Sequence, residues 1–243
     1  MTDVFGPHAV SAVLAGSPQR VRALYVQRGR RDKDTQRLIE AAKVAKIRVE
    51  FVDRQWLDRK VDGNHQGIAA DCHEVETASD DDLISAWDTL PSPRLLLVLD
   101  GVVDPRNLGA CLRSAKAAGV QAVILPRRRS APISPAAVKT AAGAVEGLFI
   151  VEVSNLARRL KWLQQQGVWL VGADGAAART YDAADLSTDV AILMGSEDKG
   201  LRPLTAKHCD DLVRIPMAHG VESLNVSVAC GILLFEALRQ RAA

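Results

Sequence analysis

The sequence predicts two α/β domains in tandem, the second built on a mostly parallel sheet. Three observations carry that expectation. Short apolar runs alternate with helical stretches along the whole chain. In the second half these runs are continuous rather than alternating, as in strands buried on both faces. An acidic stretch ending in Pro91-Ser92-Pro93 separates the halves. The expected boundaries are residues 1–75, a linker at 76–93, and 94–243.

In the first part, "VRALYV" and "IRVEFV" read as strands, and "TQRLIEAAKVAK" and "RQWLDRKV" as helices, which gives a small layered domain. The stretch "EVETASDDDLISAWDTLPSP" shows little periodicity beyond a possible short helix at Leu83 to Trp87. After it, "LLLVLD", "QAVILP", "LFIVEV", "VWLVGAD" and "VAILMG" are strands separated by helical segments. No repeat and no low-complexity segment interrupts this order.

The composition fits a folded globular protein, with 48% hydrophobic and 25% charged residues in a chain of 243. That length supports a core without disulfide or metal staples. The opening residues lack a signal-peptide pattern, and no apolar run reaches the ~18 residues of a membrane span. A cytoplasmic protein with no membrane association is expected. Cys72, Cys111, Cys209 and Cys230 form no C-x-x-C pair, and His208-Cys209 alone is a weak basis for a metal, so none is expected. The net charge of +2 divides into +3, −5 and +4 over the three segments.

Ligands of open parallel sheets bind beyond the carboxyl ends of the strands. Three loops there attract attention. "LDGVVDPRNLGACLRSAKAAG" carries Asn107 near a helix start and Arg113 six residues later, among small packing residues where a guanidinium needs a polar partner. "LMGSEDKGL" places Gly195 where a backbone can approach a ligand, with Glu197 just after it. "IPMAHGVESL" is unusually apolar for a loop. Its Ile215, Met217 and Leu224 suit the wall of a pocket that reads an adenine. Ser223 and Asn225 are also ordinary helix-capping types. The absence of G-x-G-x-x-G, G-x-x-x-x-G-K-[ST] and G-x-S-x-G patterns weighs against dinucleotide, ATP and serine-hydrolase chemistry.

In the order and spacing of "LDGVVDPRNLGACLRSAKAAGV", "ILMGSEDKGLRPLTAKHCDDLVRIPM" and "ESLNVSVACGILLFEALRQR", the chain resembles the SpoU–TrmH branch of the SPOUT RNA methyltransferases over residues 94–243. "FGPHAV" and "DGNHQGIAA" resemble the small L30e-like domain of the RlmB group of bacterial 23S ribosomal RNA guanosine 2′-O-methyltransferases. The resemblance implies a parallel α/β sheet with a deep C-terminal trefoil knot, a homodimer, and S-adenosylmethionine as cofactor. It implies cofactor contacts at Gly195, Ile215, Met217 and Leu224, and a polar catalytic cluster of Asn107, Arg113, Glu197, Ser223 and Asn225. Asp198 and Lys199 after Glu197, and Ala142 where relatives carry Ser, depart from the family pattern.

Arg113 is the base in the reading given for relatives; an arginine pKa above ~12 makes stabilisation of a developing alkoxide at least as reasonable. Arg20, Arg22, Arg28, Arg30, Arg31 and Lys33 lie within fourteen residues, enough for several phosphate contacts, though a solvated basic loop fits the same pattern. His65 and Gln66 either touch RNA or cap a strand. Within the family a transfer RNA or an antibiotic-resistance target is the alternative substrate. Outside it, the alternative is a non-catalytic ribosome assembly factor that binds RNA.

Overall fold

The computed structural model describes residues 2–221 and 223–242. The chain forms two compact units, Met1–Glu76 with Ile133–Gly147, and Thr77–Pro132 with Leu148–Ala243. The first unit therefore takes a later segment that a contiguous division at residues 93 and 94 assigns to the second.

The first unit holds β1 (Thr2–Phe5), α1 (Pro7–Gly16), β2 (Val21–Gln27), α2 (Lys33–Val44), β3 (Arg48–Val52), α3 (Arg54–Lys60) and β4 (Ile68–Cys72). Its sheet runs β1-β4-β2-β3, with β2 and β3 parallel and β4 antiparallel to both its neighbours. Asp32 and Asp53 cap α2 and α3, accepting from the N–H groups of Thr35 and Trp56 at 3.0 and 2.7 Å. Leu24, Ile68 and Leu57, the last on the inner face of α3, are fully buried.

The stretch expected to be a linker is part of the second unit. Ser79 and Asp82 form a capping box at the start of α4 (Asp80–Ala86). Leu83 and Trp87 are buried, and Trp87 meets Trp162 edge to face at 5.0 Å. Asp80 accepts from Arg159 Nε at 2.8 Å. Acidic composition marked the solvent side of this segment and hid two core anchors.

The second unit continues with β5 (Leu95–Leu99), α5 (Pro105–Ala117), β6 (Ala122–Pro126), β7 (Ile150–Val153), α7 (Leu156–Gln165), β8 (Trp169–Ala173), β9 (Arg179–Thr180), β10 (Val190–Met194), α8 (Pro203–His208), β11 (Asp211–Arg214) and α9 (Val226–Arg241). Helix α6 (Pro135–Ala141) belongs to the first unit, and Ala142 closes it in the left-handed region at φ 50°. The large sheet is ordered β7-β6-β5-β10-β8-β11-β9, every neighbouring pair parallel. Every residue of β5, β6 and β10 is buried, which explains their unbroken apolar character. Strand order reverses between β5 and β10, and in such sheets ligands bind outside the carboxyl ends of the strands near the reversal. No helix among the described residues is long and apolar enough to cross a membrane.

One ion pair ties the entry of β5 to the entry of β10. Asp189 accepts from the Arg94 amide and guanidinium, both at 2.6 Å, and from Ser92 Oγ at 3.0 Å. Burial pushes this carboxyl up, but the bonds from Arg94 and Ser92 outweigh it and hold the group below the usual carboxylate range. With a folded pKa below the unfolded value near ~4, this stabilisation is complete above that value and is lost as pH falls through the depressed one. Asp189→Asn is expected to cost ~1–3 kcal/mol at neutral pH. The gap to wild type, followed by calorimetry, should close on acidification below pH ~4; a gap independent of pH would refute a charge-based role.

Candidate active site

The three loops singled out in the sequence converge in the second unit. A cleft of about 410 Å³ opens at the carboxyl ends of β8, β10 and β11, and its walls include Gly195, Glu197, Ile215, Met217, Ser223 and Leu224. All four residues expected to hold a cofactor are there, with two of those expected in the polar cluster.

Gly195 is the floor. Beyond it, Ser196 to Gly200 fold into a tight loop closed by reciprocal backbone bonds between Ser196 and Gly200 of 3.0 and 2.9 Å. Gly200 takes φ 62°, the conformation that lets the loop return. The returning backbone passes so close that a Cβ on Gly195 would sit 2.0 Å from the Gly200 carbonyl carbon. The Asp198-Lys199 departure thus lies at the exposed tip of a loop whose closure depends on Gly200.

Asn107 links two loops. Its Nδ2 donates to Glu197 Oε1 at 2.5 Å, and its Oδ1 accepts from Asn225 Nδ2 at 3.0 Å. Asn107 stands in the first turn of α5, which Asp104 caps by accepting from the Arg106 N–H at 2.7 Å, with Pro105 pre-set at the first helical position. Asn225 caps α9, its Oδ1 accepting from the Ser227 N–H at 2.9 Å and Ser227 Oγ at 2.6 Å. The side chain therefore caps the helix and joins the polar cluster at once. Glu197 accepts from Asn107 through Oε1 and lines the cleft. Glu222, inside the third motif, lies outside the described residues.

Arg113 is not drawn into this cluster. It is exposed on α5 and makes no hydrogen bond or ion pair among the described residues, while Leu108, Cys111, Leu112 and Ala115 form the buried face. The small residues around it pack on the other side of the helix, so the inference that it needs an internal partner does not hold.

Reading the sequence missed Asp174 and Gly175 after β8, and Val226 and Ala229 at the start of α9, which complete the cleft. The terminal Asp of "VWLVGAD" was the available signal. It also missed Asp100, fully buried at the end of β5 and ion-paired to Arg202.

In the first unit, Arg20 is buried, pairs with Glu146 and donates to the His73 carbonyl at 2.9 Å, so its role is structural and not RNA contact. Arg28, Arg31 and Lys33 are exposed around the turn between β2 and α2. Arg30 donates to Asp32 at 2.6 Å, and Arg22 lies 3.7 Å from Asp71 on the strand. Buried His65 accepts from the Gly67 N–H at 2.9 Å through Nδ1 and meets Asp58 at 2.8 Å through Nε2, holding its loop. Exposed Gln66 adopts φ 48° beside it.

Three of the thiols are poorly prepared as nucleophiles: burial pushes Cys72 and Cys209 up to about 12, and a hydrogen bond with Cys111, then burial, raises Cys230 well above the ordinary thiol value. Among the described residues no three His, Cys, Asp or Glu side chains gather as a metal site.

A parallel sheet with a glycine-floored, partly apolar cleft at the carboxyl ends of β8, β10 and β11 defines a class of α/β protein whose ligand site lies in the strand-end loops. Residues 94–235 match the SpoU rRNA methylase family, and residues 4–78 match the RNA 2′-O ribose methyltransferase substrate-binding domain. The 23S rRNA (guanosine-2′-O-)-methyltransferase RlmB of Coxiella burnetii is 49% identical over 241 residues, covering 99% of this chain and 96% of that protein. An RNA 2′-O ribose methyltransferase of known structure is similar with a TM-score of 0.78 at 29% identity, over 99% of this chain and 89% of the other. An S-adenosylmethionine-bound rRNA methyltransferase from Sinorhizobium meliloti gives a TM-score of 0.77 at 26% identity, over 98% and 87%. The chain belongs to the SpoU rRNA methylase family.

Proposed function

We propose that this chain is an S-adenosylmethionine-dependent methyltransferase that methylates the ribose 2′-oxygen of a guanosine in 23S ribosomal RNA. The observation that carries the reading is the cleft itself, where the Asn107–Glu197–Asn225 chain stands beside the Gly195 floor and the Ile215, Met217 and Leu224 wall. The names and full-length coverage of the relatives support the substrate.

The residues fit the cofactor. Gly195 leaves room for close approach, the three apolar side chains suit an adenine, and Asp174 and Glu197 supply negative charge for a cationic ligand. Bound there, S-adenosylmethionine supplies an electrophilic methyl group on a sulfonium. Glu197, oriented by Asn107, is placed to accept a hydrogen bond from a ribose hydroxyl and hold its oxygen in line. Ser223 adds a hydroxyl at the cleft edge. Alignment does most of the work in such a displacement. Arg113 would act on the developing alkoxide if the site is completed at a subunit boundary.

The proposal includes a homodimer, and Val228 and Phe235, about half exposed on α9 seven residues apart, support it as an unpartnered apolar face. A trefoil knot in the C-terminal segment and action in the cytoplasm follow from the same family reading. In the first unit Arg22, Arg28, Arg30, Arg31 and Lys33 are the proposed RNA contacts.

The test is incubation of the purified chain with labelled S-adenosylmethionine and undermethylated 23S RNA, 16S RNA and transfer RNA in parallel. Label on 23S RNA alone is expected; label on transfer RNA alone would overturn the substrate, and none at all would leave the assembly-factor reading.

A further inference from the structure

The loop after β6 carries three consecutive arginines, Arg127, Arg128 and Arg129, that the cleft does not use. Arg127 lies 3.9 Å from Glu152. Arg128 and Arg129 are exposed and make no side-chain hydrogen bond or ion pair among the described residues. Both line a second groove, of about 600 Å³, together with Arg202, Ser154 and Asn155. Its lining contains three arginines and no acid. Asn155 caps α7, accepting from the Arg158 N–H at 3.0 Å, so the positive end of that ten-residue helix adds to the field.

Three features fix this groove relative to the cleft. The Ala131 N–H donates to the Val102 carbonyl at 2.8 Å, pinning the arginine loop against the loop that leads to Asn107. A Cβ on Gly101 would lie 3.8 Å from Ser196 Cβ and 3.9 Å from the Arg129 carbonyl oxygen, so the arginine loop and the Ser196–Gly200 loop flank the same glycine. Arg202, which lines the groove, is anchored to buried Asp100 at the end of β5 and keeps an unpaired Nε. The groove thus lies at the carboxyl ends of β6 and β7, in the same unit as the cleft, with its arginine loop and the Ser196–Gly200 loop on either side of Gly101.

We propose that this groove binds the phosphodiester backbone of the RNA beside the nucleotide being methylated, with Arg128 and Arg129 as the phosphate contacts. The inference rests on the RNA methyltransferase reading. The loop that carries Glu197 and the arginine loop flank the same glycine, so RNA with its ribose at Glu197 has the arginine loop next along the strand ends. Free guanidinia in an acid-free groove suit phosphate oxygens, and the lining offers no aromatic ring for base stacking. Backbone contact of this kind positions the target without reading its sequence.

The test compares wild type, R128Q/R129Q, R128K/R129K and Lys161→Gln, an exposed cation on α7 outside the groove. RNA affinity is measured against a fragment of undermethylated 23S RNA over a series of salt concentrations, with cofactor affinity and thermal midpoint recorded for each. R128Q/R129Q should weaken RNA binding about tenfold and lower the slope of log Kd against log salt by roughly 1.4, at ~0.7 for each single-stranded phosphate. Cofactor affinity and Tm should stay at wild-type values, R128K/R129K should recover most of the slope, and Lys161→Gln should leave it unchanged. An unchanged slope and affinity in folded R128Q/R129Q would overturn the proposal, as would failure of lysine to restore the slope. Wild type that neither binds nor methylates RNA would instead sink the functional reading on which it rests.

Discussion

Gly195→Ala should abolish cofactor binding and destabilise the second unit. The added Cβ would meet the Gly200 carbonyl carbon at 2.0 Å and its oxygen and the Leu201 nitrogen at 2.2 Å. All three are backbone atoms, so no side-chain rotation relieves the contact. The Ser196–Gly200 loop would have to open, breaking the reciprocal bonds that close it and moving Glu197 away from Asn107. Overpacking of this kind costs ~1–3 kcal/mol, which lowers Tm by roughly 2–12 °C in a chain this long. Calorimetric titration should show at least ~100-fold weaker S-adenosylmethionine binding, a loss of ~2.7 kcal/mol. Near-normal affinity in the folded variant would mean that Gly195 is a packing glycine and not the floor of the cofactor site.

Asn107→Ala should cut kcat by about 10²–10³ while changing cofactor affinity less than about threefold, the signature of a group that acts on the reacting centre. The side chain is the only described bridge between Glu197 and Asn225, and removing it leaves the Glu197 carboxylate without its orienting donor. Asn107→Asp should be at least as damaging, because a second carboxylate would face Glu197 at hydrogen-bond distance. Steady-state kinetics at saturating RNA and cofactor separate these outcomes from a folding defect. A variant with unchanged kcat would show that the bridge is structural.

How much of this was legible in the sequence depends on where the determining contacts lie along the chain. Gly195, Ile215 and Leu224 could be read because each sits in a loop just after an apolar run or before a long helix, and the sheet brings those loops together whatever else the chain does. The Asn107–Glu197 bond spans 90 residues, yet both residues follow the carboxyl ends of neighbouring strands, β5 and β10, Asn107 in the helix that starts there and Glu197 in the loop, so the topology brings them near each other. Arg20 could not be assigned from its neighbours. Its partner Glu146 is 126 residues away, in the segment that joins the first unit. An internal partner for Arg113 was expected because small residues on a helix signal close packing without saying on which side of the arginine it occurs. The acidic segment failed for the opposite reason: the charges of Asp80, Asp81 and Asp82 masked the buried Leu83 and Trp87.

The central claim is that the cleft and its polar bridge direct a methyl group to a ribose oxygen. The most direct measurement is a single turnover with labelled S-adenosylmethionine and undermethylated 23S RNA, followed by digestion to nucleosides and identification of the labelled product. The family membership and the cleft together predict 2′-O-methylguanosine as the only labelled nucleoside, formed by wild type and lost in Asn107→Ala. Label on a guanine base, or equal labelling by Asn107→Ala, would contradict the assignment of the Asn107–Glu197–Asn225 chain to ribose methylation.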